Sequence, residues 1–209
     1  MIYFDFLEQK DYPNAPLSIV VGDIAGHEVD AALLMTFARA FLRMRASQSG
    51  HISDIITEMN RHLTSDVLDT GRFMTLFYLA IDPAKKHLQW VRAGHDPAIV
   101  YDPRQNRFEE LTGIGIALGV NEDFRYQENI KSGVAAGQII ALGTDGIWEA
   151  FNKDGIMFGK ERFREIIRRN AKENAVNILD AVYDGLDQHT KGFKSGDDIT
   201  LVVAKVCNN

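Results

Sequence analysis

Three acidic positions in this sequence share one local design. Asp23 follows the apolar run at residues 17–21, Asp145 follows the apolar run at 138–142, and the pair Asp197 and Asp198 stands immediately before an apolar run that begins at Ile199. Each is flanked by glycine: Gly22 and Gly26, Gly143 and Gly146, and Gly196. Hard divalent cations such as Mg²⁺ and Mn²⁺ take oxygen ligands, commonly carboxylates completed by water. A carboxylate at a strand end is held by a rigid element, so several can converge on one ion with little loss of freedom. Glycine lets the backbone approach the ion and turn sharply afterwards. Carboxylates gathered this way repel and shift one another's pKa unless a cation neutralises them. Taken singly, each aspartate also reads as a turn former or a helix cap, Asp23 for the helix that follows it and Asp145 for a short helix at Ile147.

The elements that must position these carboxylates are legible from periodicity. Residues 2–7 and 17–21 read as strands, the second buried on both faces. Val29, Leu33, Phe37, Phe41 and Met44 recur at helical spacing and predict a helix over 29–46 with those side chains in the core. Ile52, Ile55, Ile56, Met59 and Leu63 predict a second helix over 52–68, with Gly50 between the two. The pattern then changes to strands at 73–81, 88–92, 98–101, 108–111, 124–130 and 138–142, with turns at Asp82-Pro83 and at residues 94–97. Helical pieces follow at 147–151 and 160–169. A longer helix at 175–189 places Val176, Leu179, Val182, Tyr183 and Leu186 on one face, and the last strand covers 199–206. This order is not the regular strand–helix alternation of a parallel sheet. It predicts an α+β fold, antiparallel sheets stacked with helices packed outside. The same order argues against a phosphoacceptor receiver domain, which also clusters aspartates but needs βα alternation.

Composition narrows the function classes. The 209 residues suffice for one domain with a substantial core, and the net charge of -6 argues against a nucleic-acid surface. The basic residues at 162–172 are diluted by Glu161, Glu165 and Glu173 and read as a solvated helix face. Cys207 is the one cysteine, which excludes an internal disulfide and a cysteine zinc site and fits the cytoplasm. The N-terminal residues lack the basic and apolar regions of a signal peptide, and no apolar run is long enough to span a membrane. The chain enters its first strand almost at residue 1, which suggests a C-terminal piece of a longer protein trimmed at a domain border. The turn 152–155 lacks the ligand positions of a calcium loop. His95 has no second histidine at metal spacing and reads as structural. His62, beside an apolar helix face, reads as a partly packed surface residue.

Four segments then carry a resemblance. Residues 21–35, VGDIAGHEVDAALLM, closely resemble the first metal motif of the SpoIIE/RsbU branch of type 2C (PPM) protein phosphatases. Residues 93–98, AGHDPA, 143–159, GTDGIWEAFNKDGIMFG, and 196–203, GDDITLVV, resemble its later motifs, in the family's order and over nearly the whole chain. The resemblance implies an αββα sandwich of two antiparallel sheets flanked by helices, with residues 1–209 as one phosphatase domain. It implies two Mn²⁺ or Mg²⁺ ions ligated by Asp23, the main-chain carbonyl of Ile24, Asp145 and Asp197. By the same resemblance Asp23 would bridge the ions, and Asp197 rather than Asp198 would take the ligand role. The implied reaction is hydrolysis of phosphoserine or phosphothreonine on a regulatory protein, such as an anti-sigma-factor antagonist, by a water activated between the ions. No protein nucleophile is needed, which fits the absence of a Gly-x-Ser-x-Gly elbow. The implied partners are the phosphoprotein, an upstream sensor or receiver domain, and a second copy of the chain, with no membrane insertion.

The sequence departs from the family pattern at its start. The acidic residue expected before the aromatic pair falls at Ile2: either the domain is cut through the motif or this member lacks that residue, and one ligand of the second ion is thereby open. Asp5 belongs to the later part of that motif and does not take over the role. His27 matches the family's residue type and reads equally as packed or catalytic. The departure motivates an alternative: a weak or degenerate phosphatase-fold module that acts by binding a partner. The apolar stripes on the two helices resemble the paired helices through which relatives couple sensors or dimer partners to the active site.

Overall fold

In the computed structural model, residues 1–7, 16–26, 28–46, 48, 50–67, 71–191 and 197–207 are described. In chain order the elements are β1 (Ile2–Leu7), β2 (Leu17–Ile24), α1 (Val29–Ala46), α2 (Ile52–Val67), β3 (Met74–Asp82), β4 (His87–Ala93), β5 (Ala98–Asp102), β6 (Arg107–Leu111), β7 (Asn129–Ser132), β8 (Ile139–Gly143), α3 (Lys160–Arg169), α4 (Ala175–Thr190) and β9 (Leu201–Lys205). They fall into two compact units, Met1–Pro97 with Thr112–Val134 and Ala98–Leu111 with Ala135–Asn209. Both sheets are antiparallel throughout, as the strand-rich middle of the sequence predicts.

In the first unit the strand order is β1-β2-β3-β4-β7. The apolar run of β2 is buried along most of its length, and the strand continues past Val21 so that Gly22, Asp23 and Ile24 pair with Leu76, Thr75 and Met74. Asp23 therefore sits in the last turn of the ladder rather than beyond it. Tyr3, Val20, Ile24, Leu76, Tyr78 and Val91 from the sheet form one apolar cluster with Leu42 of α1 and Ile56, Met59 and Leu63 of α2. Burying side chains of this size stabilises by about 1.5–3 kcal/mol each.

In the second unit the order is β6-β5-β8-β9. Its core joins Ile99, Ile139, Ala141 and Leu201 to Phe163 and Ile167 of α3 and to Ile178, Val182 and Leu186 of α4. Asn174 caps α4, its side-chain oxygen accepting from the Asn177 amide at 2.8 Å.

Several expectations need correction. On α1 the core face is Ala31, Leu34, Ala38, Phe41 and Leu42, whereas Val29, Leu33 and Met44 are exposed. The helix carries apolar residues around most of its circumference, so spacing alone cannot choose the inward face. On α4, Val176 and Tyr183 are exposed, and Ile178 takes the inward position. Of residues 124–130, only the end is strand. The Tyr126 amide donates to Thr57 Oγ1 at 3.2 Å and its hydroxyl to the Ile116 carbonyl at 3.0 Å, so a helix side chain supplies the partner that a neighbouring strand would. Residues 147–149 are turn, Ala150 is irregular and Phe151 makes an isolated antiparallel bridge to Met157, so there is no helix over 147–151. There the Ala150 and Trp148 carbonyls accept from the Phe158 and Gly159 amides, which diverts the chain before a second helical turn can form. The last strand begins at Leu201, because Thr200 is engaged with Thr144.

Candidate metal centre

The end of β2 carries an oxygen cradle. Asp23 Oδ1 and the Ile24 carbonyl each accept from the α-ammonium of Met1 at 3.0 Å, and the Gly26 carbonyl accepts from it at 3.1 Å. Three oxygens within four residues thus converge on one cationic nitrogen. This is the all-oxygen donor chemistry that a hard divalent cation requires, with the ammonium as a stand-in charge. Gly22 is required at the approach: a Cβ there would lie 2.6 Å from the Thr75 carbonyl oxygen. Asp23 and Ile24, two of the residues singled out in the sequence, are therefore brought together with Gly26, whose carbonyl no motif announces.

Segment 72–75 backs the cradle. Arg72 Nη1 donates to the Ala25 carbonyl at 2.9 Å, and the Ala25 amide donates to the Phe73 carbonyl at 3.0 Å. Thr75 Oγ1 stands 2.9 Å from Nδ1 of the buried His95, whose main-chain carbonyl accepts from Arg92 Nε. His95 is thus a packed histidine tied to β3, as its isolation from other histidines suggests. Gly94 in the same motif has φ of 72°, and a Cβ there would meet the Ala117 amide nitrogen at 2.7 Å. A cavity of about 760 Å³ opens beside Arg72, lined also by Thr64, Val67, Phe73, Asn121 and Asp123.

The second unit brings Asp145 and Asp197 to one end of the β8–β9 pair. The ladder closes at Gly143 opposite Leu201. Beyond it, the Thr144 amide donates to the Thr200 carbonyl at 3.1 Å, and Thr144 Oγ1 donates to the Asp198 carbonyl at 3.2 Å and accepts from the Thr200 amide at 3.1 Å. Gly146 presses against the same segment: a Cβ on it would lie 2.5 Å from the Asp198 carbonyl oxygen. Asp145 and Asp197 are both solvent-exposed, and Asp197 Oδ1 accepts from the Asp198 amide at 2.8 Å. Among the described residues, no three His, Cys, Asp or Glu side chains form a ready-made metal group.

The remaining candidates take other roles or fall elsewhere. Asp5 is buried and paired with Arg43 and Tyr3, so its carboxylate is structural. Ile2 pairs directly opposite Asp23 in the β1–β2 ladder, where the family acid is expected. His27 and Gly196 lie outside the described residues. His62 is exposed, its ring 5.8 Å from that of Phe41. Asn152 Oδ1 accepts from the Asp154 and Ile156 amides at 3.0 and 2.9 Å and closes a turn rather than a calcium loop. Among the described residues no helix is long and apolar enough to cross a membrane.

Comparison with known proteins extends this picture. Residues 13–207 match the family described as Stage II sporulation protein E (SpoIIE). The phosphoserine phosphatase RsbU of Bacillus subtilis (strain 168) is 26% identical over 203 residues, which cover 97% of this chain and 58% of RsbU. The chain thus spans little more than half of that relative. The solved SiaA-PP2C domain of Pseudomonas aeruginosa superposes with a TM-score of 0.81 at 23% identity, over 98% of this chain and 80% of that one. The structure of RsbX in complex with magnesium superposes with a TM-score of 0.70 at 15% identity, over 97% of this chain and 85% of that one. With the match running over nearly its full length, the chain belongs to the SpoIIE family, and it shares the fold of a PP2C domain.

Proposed function

We propose that this chain is a metal-dependent protein phosphatase that hydrolyses phosphoserine or phosphothreonine on a regulatory protein. The observation that carries the reading is the convergence of Asp23 Oδ1, Ile24 O and Gly26 O at the end of β2. In this reading Asp23, the Ile24 carbonyl, Asp145 and Asp197 hold two Mn²⁺ or Mg²⁺ ions. Such ions, when bound, lower the pKa of water and offset charge developing on phosphoryl oxygens. The chain's own part is to hold these oxygens on rigid strand ends, with Thr144 fixing the Asp145 turn against the Asp197 segment. The naming of RsbU as a phosphoserine phosphatase and the magnesium complex of RsbX support the substrate class and the cofactor.

The chain acts, in the same reading, as the phosphatase module of a longer cytoplasmic signalling protein with an upstream sensor or receiver domain. An anti-sigma-factor antagonist is its substrate, and it works alone or as a homodimer. The experiment is Mn²⁺ titration by calorimetry together with hydrolysis of p-nitrophenyl phosphate and of a phosphoserine peptide. Saturable Mn²⁺ binding and metal-dependent turnover that Asp145→Asn abolishes, with an unchanged circular dichroism spectrum, are expected. Turnover retained in Asp145→Asn contradicts the assignment.

One observation favours a second reading. The residue paired opposite Asp23 is Ile2, whose side chain offers no oxygen to a second ion. A module that binds a regulatory partner with little catalysis then follows, and a site that stays unfilled at millimolar Mn²⁺ favours it.

A further inference from the structure

The backbone carbonyls of residues 24–26 divide between two cations. Those of Ile24 and Gly26 accept from the Met1 ammonium, while the carbonyl between them, on Ala25, accepts from Arg72 Nη1 at 2.9 Å. The Ala25 amide is held as well, by the Phe73 carbonyl at 3.0 Å. Both polar groups of Ala25 are thus fixed by two consecutive residues, Arg72 and Phe73. With Ala25 pinned, the two flanking carbonyls stay on the cradle side.

Gly26 and Arg72 are matched sterically. Gly26 has φ of 102°, in the region that favours glycine, and a Cβ on it would lie 1.8 Å from Arg72 Nη1. The guanidinium occupies the space that any other residue at position 26 would fill. The charge of Arg72 beside a cation site is offset on its other side, where Nη2 lies 3.4 Å from Glu28 Oε2 and 3.7 Å from Asp30 Oδ2. Arginine presents separate nitrogens in a planar fork, so one can hold a carbonyl while the other faces carboxylates; a lysine ammonium cannot reproduce that geometry.

We propose that Arg72 is a positioning residue for the cation site: its hydrogen bond to the Ala25 carbonyl holds the Ile24 and Gly26 carbonyls in convergence with the Asp23 carboxylate. The proposal rests on the metal-dependent reading above. Because Arg72 also lines a solvent-open cavity, a free guanidinium ion can reach the space left by its truncation.

The test is Mn²⁺ affinity by calorimetry for wild type, Arg72→Ala and Arg72→Lys, with and without millimolar guanidinium chloride, alongside thermal melting of the metal-free proteins. Arg72→Ala is expected to weaken Mn²⁺ binding about tenfold, which corresponds to 1.4 kcal/mol. Guanidinium should restore most of that loss in Arg72→Ala and do nothing to wild type. Arg72→Lys is expected to remain severalfold weaker than wild type. Affinity within twofold of wild type in Arg72→Ala overturns the proposal, and so does a loss that guanidinium leaves untouched. Should Arg72→Ala fail to fold, Arg72→Lys decides: weaker binding upholds the role and unchanged binding overturns it. If wild type itself binds no Mn²⁺, the metal-dependent reading falls and the proposal with it. Wild-type binding with unaltered variants removes only the proposal.

Discussion

Asp5 accepts hydrogen bonds from Nε and Nη2 of Arg43, both at 2.6 Å, and so ties the edge strand β1 to α1 across 38 residues of sequence. Tyr3 adds its hydroxyl at 3.1 Å. Burial alone would raise the Asp5 pKa, but the bonds from Arg43 and Tyr3 outweigh it and hold the carboxyl below its ordinary value. Burial and the adjacent Asp5 charge push the Tyr3 phenol upward. The strand anchored in this way carries Met1 to the oxygen cradle at its other end.

The Asp5 shift sets a pH dependence. A carboxyl whose folded pKa is depressed stabilises the fold above its unfolded value of about 4, and that contribution disappears as pH falls through the folded value. Asp5→Asn should therefore be less stable than wild type near neutral pH, with the two converging as pH falls toward about 2. Urea denaturation across that range reads the difference, and a gap that is constant with pH would contradict the linkage.

The aspartates at the end of β9 are expected to be unequal. Asp197→Asn should reduce Mn²⁺-dependent p-nitrophenyl phosphate turnover by about 10²-fold or more, on the scale of losing a group that stabilises the transition state. Asp198→Asn should cost far less, since that residue's main-chain carbonyl is what Thr144 holds. Equal losses in the two variants would reassign the ligand.

Gly146 is expected to be intolerant for a steric reason. Gly146→Ala places a methyl 2.5 Å from the Asp198 carbonyl oxygen, a backbone atom that cannot rotate away. Overpacking of this kind costs about 1–3 kcal/mol, and the melting temperature should fall accordingly. Activity should fall with it, because the Asp145 turn is displaced from the Asp197 segment.

The inward face of α1 is testable by a pair of neighbours. Leu34→Ala should cost about 2–5 kcal/mol because Leu34 is 7% exposed, whereas Leu33→Ala, at 66% exposed, should stay within about 0.5 kcal/mol. Denaturant titration of both variants gives the comparison, and the reverse order would place α1 with its other side inward.

Much of the architecture was readable in local pattern. The β2 core, the α2 stripe from Ile52 to Leu63 and the bounds of α3 follow from periodicity, because each is a run whose apolar spacing has one geometric solution. The α1 face was not, since Ala31 and Ala38 are small enough for close packing and look neutral beside Leu33 and Met44. The segment 124–128 has strand-like composition, yet Thr57 on α2 supplies its amide partner. The candidate site divides in the same way. Glycine-flanked aspartates at strand ends announce oxygen chemistry, but nothing local to Arg72 announces that its guanidinium holds the Ala25 carbonyl.

Which side chains are available for cation chemistry, that the sheets are antiparallel and to which family the chain belongs can all be read along the chain. Those properties reside in residue type, short-range spacing and motif order. It takes the folded chain to show that the Ile24 and Gly26 carbonyls converge with Asp23, that Thr144 binds the Asp145 turn to the segment before β9, and that Arg72 fills the space that Gly26 leaves open. Each of these joins groups tens of residues apart or depends on the direction of a backbone carbonyl. Such choices are made by packing and hydrogen-bond satisfaction across the whole fold, which no local pattern records.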